Sequence, residues 1–324
     1  MKALVTGISG QAGTYLTQLL SSKGYEIYGI DRRKSDPQID YRKKAIYEAA
    51  NVKFVVGDIT DPDGMRNLVR TIKPDEIYNL AAMSFVKTSW DIPVSTFDIN
   101  ARAVVHLLEI VRQESPQTRI IQCSTSEMFG KVLEVPQTEK TPFYPRSPYG
   151  VSKVAAHYAV VNYRESYNIH ASSAIMFNYE SKFRGPEFVT RKITLAAARI
   201  KLGLQKELRL GNIEAKRDWT HASDTTRAMW MMAQHDNPGD YVICSGETRS
   251  IKEFLEIAFS KLDLNYMDYV TIDPEFFRPA EVDLLQGNSR KAHEELGWYP
   301  QVSFQELVEE MVRADYDLVK KLET

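Results

Sequence analysis

The chain begins with a short apolar run, Lys2-Ala-Leu-Val-Thr6. It passes directly into Gly7-Ile-Ser-Gly10-Gln-Ala-Gly13 and then into an apolar helical pattern through Tyr15, Leu16, Leu19 and Leu20. Few folds can use that order. Glycines at this spacing let the backbone approach a pyrophosphate, and a helix starting behind them offers free N–H groups and a positive dipole end to an anion. A glycine triplet alone could be no more than a tight turn. With a strand before it and a helix after it, the triplet reads as a dinucleotide loop. Gly7, Gly10, Gln11, Ala12 and Gly13 are the first expected cofactor contacts.

The alternation continues. Glu26–Ile30, Val52–Asp58, Asp75–Asn79, Arg119–Cys123 and Ala171–Phe177 read as strands, with helical patterns over 93–114 and 148–166. Strands that alternate with helices predict an α/β fold, a doubly wound parallel sheet. The second strand ends in Asp31-Arg32-Arg33. An acidic residue there suits a ribose 2′-OH, the NAD pattern, whereas arginines suit a 2′-phosphate, the NADP pattern. With Arg32 on the adenine and phosphate and Asp31 turned aside, the reading is NADP; Asp31 leaves NAD open. The small residues of Leu80-Ala81-Ala82 let the backbone pass close to the cofactor, and Ser84 could reach a sugar.

The chemistry concentrates between Ser124 and Lys153. Ser124-Thr125-Ser126-Glu127 follows a buried strand, at the strand end where open α/β sheets bind ligands. Tyr149 and Lys153 are four residues apart, one turn along a helix face. An ammonium near a phenol favours the phenolate and lowers its pKa, which makes tyrosine a usable proton acceptor near neutral pH. Thr125 could share the network around one substrate oxygen. Taken alone, Tyr149 could be a packing residue and Lys153 a solvated charge; the glycine loop and the Ser-Thr-Ser-Glu strand end favour chemistry.

A net charge of −2 argues against nucleic acid held by bulk electrostatics. The apolar runs are too short to cross a bilayer, and no signal peptide precedes the first strand, so a cytoplasmic enzyme is expected. Cys123 and Cys244 read as small core residues, and the six histidines show no metal-ligand spacing. After Phe177 the chain turns basic. Asn178-Tyr179-Glu-Ser-Lys-Phe-Arg184, Arg191-Lys192, Arg217-Asp-Trp219 and Arg278-Pro-Ala-Glu281 place cations beside aromatics in predicted loops, as a diphosphate clamp requires. The expected division is a dinucleotide domain over 1–178 with a returning segment near 216–244, and a smaller, mostly helical substrate domain over 179–324. Gly297-Trp298-Tyr-Pro300 reads as a turn closing that smaller domain.

Together these segments resemble the extended short-chain dehydrogenase/reductases, a Rossmann-type superfamily, and within its sugar-nucleotide branch the GDP-mannose 4,6-dehydratases. The likeness spans nearly the whole chain, including Lys73-Pro-Asp-Glu-Ile-Tyr-Asn-Leu-Ala-Ala82, Thr141-Pro-Phe-Tyr-Pro-Arg-Ser-Pro-Tyr149 and Phe188-Val-Thr-Arg-Lys-Ile193. The resemblance implies bound NADP, a GDP-sugar substrate and a homodimer or homotetramer. It places Asp58 and Ile59 at the adenine edge and Tyr179 and Arg184 beside the cofactor. Ser84, Glu127 and Asn178 fall at the sugar, Lys192, Arg217 and Arg278 at the diphosphate, and Glu281 at the nucleotide ribose. There are departures. Asp31 replaces a more usual basic or neutral residue, Tyr179 stands where the family has a histidine, and Phe85 replaces another after Ser84. These changes leave a GDP-manno-heptose as an alternative sugar.

The implied reaction is redox-neutral. Tyr149, held deprotonated by Lys153, takes the 4-OH proton, Glu127 removes the C5 proton of the 4-ketone, and Glu127 or Ser126 assists loss of the 6-OH. A 4-epimerase or 4-keto reductase would use Tyr149 and Lys153 but not Glu127. An idle NADP-binding sensor would need none of the three.

Overall fold

The computed structural model describes residues 1–32, 41–276 and 285–323. Twelve strands are found among them: β1 (Lys2–Thr6), β2 (Glu26–Asp31), β3 (Lys53–Val56), β4 (Glu76–Asn79), β5 (Arg119–Thr125), β6 (Ala171–Met176), β7 (Asn178–Glu180), β8 (Leu208–Leu210), β9 (Lys216–His221), β10 (Asp240–Ile243), β11 (Thr248–Ser250) and β12 (Val270–Ile272). The helices are α1 (Gln11–Ser22), α2 (Tyr41–Ala49), α3 (Pro62–Ile72), α4 (Thr88–Asp91), α5 (Pro93–Phe97), α6 (Ala103–Glu114), α7 (Pro148–Tyr167), α8 (Val189–Lys201), α9 (Ala222–Gln234), α10 (Ile251–Ser260), α11 (Arg290–Leu296) and α12 (Phe304–Glu323).

Seven strands form one parallel sheet in the order β10-β6-β5-β4-β1-β2-β3. The order reverses at β1, which pairs with β2 on one side and β4 on the other. Both faces are covered, which is why the strands read as unbroken apolar runs rather than alternating ones. On one face Leu16 and Leu20 of α1 pack with Met229 and Met232 of α9. On the other, Val69 of α3 and Leu107 and Leu108 of α6 pack with Val160 of α7. β10 comes from far along the chain and seats beside β6, Asp240 opposite Ser173 through Ile243 opposite Met176.

The rest builds a second core from Ile193 of α8, Phe254 of α10, Met311 of α12 and Trp219 of β9. Two small sheets frame it, one ordered β11-β9-β7 and the other pairing β12 with β8. Trp298 departs from expectation. Gly297, at φ +66°, caps α11, but Trp298 is fully buried with Leu16 and Met229 on the large sheet, its indole N–H donating to the Asp224 carbonyl at 2.8 Å. A ring this large gains most where it can bury all its surface and still satisfy its N–H, and the α9 side of the large sheet offers both. No helix among the described residues is long and apolar enough to cross a membrane.

Candidate active site

A cleft of roughly 1160 Å³ runs along the carboxyl ends of the parallel strands, from the glycine loop to the second core. Its centre is set by the start of α7. The Ser147 hydroxyl accepts from the Gly150 amide at 3.0 Å and Pro148 occupies the first helical position, a start signal that fixes Tyr149 in the first turn and Lys153 one turn on. Both are buried, and both face the end of β5. Thr125, the last residue of that strand, hydrogen-bonds the Tyr149 hydroxyl, and its Oγ1 accepts from the Glu127 amide at 3.2 Å. The short helical turn Ser126–Met128 leaves Ser126 buried and Glu127 half-exposed along the cleft, close enough for its charge to act on Tyr149.

One electrostatic expectation fails. Burial pushes the Tyr149 phenol well above its ordinary pKa, and the charges of Cys123 and Glu127 push the same way against the Thr125 hydrogen bond. Lys153 does not pull it down, because its ammonium donates to the Cys123 carbonyl at 2.9 Å and stands 5.9 Å from the phenol ring centre. Burial also lowers the Lys153 pKa.

A π-helical turn at Asp98–Arg102, between α5 and α6, puts Asn100 behind the segment that carries Met83. Asn100 Oδ1 accepts from the Met83 amide at 2.9 Å, and its Nδ2 donates to the Met83 carbonyl at 3.0 Å and to Ser152 Oγ at 3.1 Å. One buried amide thereby ties the segment carrying Ala82 and Ser84 to α7. Ser84 is exposed on the cleft, and Phe85 packs edge-on against Phe188 with ring centres 5.5 Å apart.

The glycine loop fits a dinucleotide. Gly7, at φ +64°, lies where a Cβ would come within 2.8 Å of the Ala81 amide nitrogen, and a Cβ on Gly13 would lie 2.2 Å from the Ile8 carbonyl oxygen. Only glycine lets the loop, Leu80-Ala81-Ala82 and α1 approach this closely. Gly10 caps α1 without a side-chain partner for its free amides, which leaves them for an anion. Gln11 is turned away: its Nε2 donates to the Tyr179 carbonyl at 2.9 Å and its Oε1 accepts from Ser181 Oγ at 2.8 Å. Both polar ends of its side chain are thereby engaged by the protein. Ala12 is buried in α1 beside it.

At the end of β2 the Asp31 carboxylate accepts from the Arg32 amide at 2.7 Å. Asp58 accepts from the Thr60 amide at 2.9 Å and hydroxyl at 2.7 Å. Burial raises its pKa, but these bonds and the Arg32 charge together hold it below its usual value. Asp31, Arg32, Asp58 and Ile59 line the same end of the cleft. So does Lys43, unforeseen in the sequence, whose ammonium donates to the Ser9 carbonyl at 2.8 Å. It sits in a weakly patterned, charge-rich helix, and only the tertiary fold links it to the glycine loop.

Asn178, Tyr179, Arg184, Lys192 and Arg217 line the opposite wall. Tyr179 hydrogen-bonds the Cys123 thiol, and burial pushes its phenol far up. Arg184 lies 3.4 Å over the Phe188 ring and 3.1 Å from Glu180, whose carboxyl burial raises. Behind it, Arg191 pairs with Asp315 at 2.6 Å and donates to the carbonyls of Lys182 and Arg184, both at 2.8 Å, so an α8–α12 ion pair fixes the loop that presents Arg184. The sequence groups Arg191 with the cations of a diphosphate clamp, whereas its guanidinium is engaged by Asp315 and two backbone carbonyls. Lys192 donates to the Arg209 carbonyl at 2.9 Å, and Arg217 is buried in β9. Arg278 and Glu281 lie outside the described residues.

A family model described as GDP-mannose 4,6 dehydratase matches residues 4–311. GDP-mannose 4,6 dehydratase 2 of Arabidopsis thaliana is 49% identical, over 98% of this chain and 88% of that relative. The GDP-mannose 4,6 dehydratase of Homo sapiens is 44% identical over 98% and 92% of the two chains. The one from Sinorhizobium fredii is 44% identical over 98% and 97%. Among solved structures, a dTDP-glucose 4,6-dehydratase from Streptomyces venezuelae with NAD and TYD bound superposes with a TM-score of 0.86 at 23% identity, covering 99% and 98% of the chains. A structure of RMD from Pseudomonas aeruginosa complexed with NADPH gives 0.82 at 23%, covering 98% and 99%. At these identities the two structures share the fold.

Proposed function

The chain belongs to the GDP-mannose 4,6-dehydratase family, and from that premise we propose that it converts GDP-mannose to the GDP-4-keto-6-deoxy sugar with NADP as its dinucleotide. The observation that carries this reading is Glu127: its carboxylate opens onto the same cleft as Thr125, Tyr149 and Lys153, and a 4-epimerase or 4-keto reductase has no use for it. Neither those activities nor a heptose is favoured beside relatives that are 44–49% identical over almost the full chain.

A bound nicotinamide dinucleotide supplies reversible two-electron exchange with the sugar, so the overall dehydration is redox-neutral. Acting as the phenolate, after the filled cleft has released its own proton to solvent, Tyr149 takes the 4-OH proton as C4 becomes a ketone, and Thr125 hydrogen-bonds the same oxygen. Lys153, one turn beyond Tyr149, ties α7 to β5 through the Cys123 carbonyl. The ketone acidifies C5–H, which Glu127 removes. Glu127 or Ser126 then protonates the departing 6-OH, and C5 is finally reprotonated. Ser84 and Asn178 orient the hexose, while Lys192 and Arg217 meet the diphosphate. Arg278 and Glu281 keep the diphosphate and ribose roles implied by the family resemblance. Gly7, Gly10, Gln11, Ala12 and Gly13 hold the dinucleotide pyrophosphate through their backbone, with Leu80, Ala81 and Ala82 alongside and Tyr179 and Arg184 opposite. Asp58 and Ile59 edge the adenine. Asp31, engaged by the Arg32 amide, and the adjacent Arg32 cation favour NADP over NAD. On this reading residues 1–178, with the returning segment 216–244, carry the dinucleotide, and the remainder carries the GDP-sugar.

Incubating the purified protein with GDP-mannose and no added dinucleotide is expected to yield the 4-keto-6-deoxy product with no net change in nicotinamide absorbance. Stoichiometric consumption of added NADPH would instead indicate a reductase. We also infer self-association, because Val94, Phe97 and Val105 on the helices of 93–114 and Val151 and Tyr158 on α7 are large, apolar and exposed. Light scattering should give a dimer or tetramer mass; a monomer at micromolar concentration removes the inference.

A further inference from the structure

At the far end of the cleft two chain segments leave neighbouring strands together. β8 and β12 run parallel with Leu210 opposite Ile272, and the Asp273 amide donates to the Leu210 carbonyl at 2.7 Å. The segments stay in contact beyond the strands: a Cβ on Gly211 would lie 2.8 Å from the Phe276 carbonyl oxygen, so glycine permits the approach. Asn212 and Glu275 each adjoin one partner of that Gly211–Phe276 approach, and both line the cleft.

Their hydrogen-bonding states differ. Asn212 Oδ1 accepts from the Glu214 amide at 2.9 Å, which turns its NH2 group outward as a donor. The Glu275 backbone amide is tied to Asp273 at 3.0 Å, while its side chain is exposed as an acceptor. Among the described residues, neither the Asn212 NH2 nor the Glu275 carboxylate has a hydrogen-bond partner. Beside them the half-exposed Phe276 ring offers a flat apolar surface, with the Lys192 ammonium 4.3 Å over its centre. Since Lys192 is the cation assigned to the diphosphate, a base attached to that diphosphate falls within reach of this end.

We propose that Glu275, with Asn212, is the base-selecting residue of this enzyme and reads the Watson–Crick edge of guanine. The inference rests on the GDP-sugar reading and deepens it. A carboxylate accepts from guanine N1–H and N2–H2 together, and the asparagine NH2 donates to O6. Adenine presents an acceptor at N1 and a donor at N6, both mismatched. Uracil flanks its single N–H with two carbonyl oxygens that repel a carboxylate. Phe276 supplies a stacking surface that any purine could use, so it adds affinity rather than choice.

The test uses the full-length protein with its bound dinucleotide and measures GDP, IDP, XDP and UDP binding by calorimetry. Hypoxanthine lacks the 2-amino group, so wild-type protein should bind GDP roughly 10–100-fold tighter than IDP, the range for one hydrogen bond to a charged group. Glu275→Gln should weaken GDP by a similar factor and bring IDP level with it. The same variant should bind XDP more tightly than GDP, because the glutamine amide can accept from N1–H and donate to the xanthine 2-carbonyl. A gain of that kind cannot come from misfolding. Unchanged GDP/IDP and GDP/XDP ratios in Glu275→Gln would overturn the assignment. Tighter binding of UDP than GDP by wild-type protein would overturn the GDP-sugar reading, and the proposal with it.

Discussion

Replacing Glu127 with glutamine should lower turnover of GDP-mannose by about 10²–10⁴-fold, the usual contribution of a positioned general base. The substitution keeps the side chain's size and its place on the short turn after β5, and it removes only the capacity to take a proton. GDP-mannose affinity should therefore stay within about threefold of wild type, since a base that acts on C5 late in the cycle contributes little to ground-state binding. Oxidation at C4 does not need this carboxylate. Rapid mixing of the dinucleotide-loaded variant with GDP-mannose should still give a nicotinamide absorbance change, with no solvent deuterium entering C5. Normal turnover would remove Glu127 from the chemistry, and loss of substrate binding would make it structural.

Tyr149→Phe should reduce turnover by a comparable factor, about 10²–10⁴-fold, but at an earlier point. Without the phenol no group takes the 4-OH proton, so the nicotinamide absorbance change should vanish together with C5 exchange. The site is buried and already packs a ring, so phenylalanine fits without a cavity. A variant that still oxidised C4 at the wild-type rate would shift the role to Thr125 or another group. The two substitutions thus separate oxidation from elimination, and a retained oxidation signal in both would refute the assigned order.

Much of this was legible in the sequence because it is local. The glycine loop needs only a strand before it and a helix behind it, and the four-residue spacing of Tyr149 and Lys153 puts them on one face of a helix. The apolar runs marked the parallel sheet, since strands buried on both faces cannot alternate. What stayed hidden depends on partners remote in the chain. Arg191 reads as one cation of a diphosphate clamp until Asp315 closes over it, and Lys43 gains meaning only when α2 folds onto Ser9. Asn100 is one polar residue in an amphipathic helix until a π turn aims it at Met83 and Ser152. The tyrosine's electrostatics also misled. Spacing puts Lys153 on the same helix face, yet a backbone carbonyl captures the ammonium and burial governs the phenol.

The placement of β10 constrains how the molecule comes into being. β6 pairs with β5 on one side and with β10 on the other, and β10 is made only after β7, α8, β8, β9 and α9. A nascent chain leaving the ribosome therefore carries β6 with an open, apolar edge until residues 240–243 arrive, and open edges invite pairing with other chains. Closing so long a loop is slow relative to local helix formation. The nucleotide-binding half is thus not an excisable module ending near 178: its last strand is on loan from the other side of the molecule.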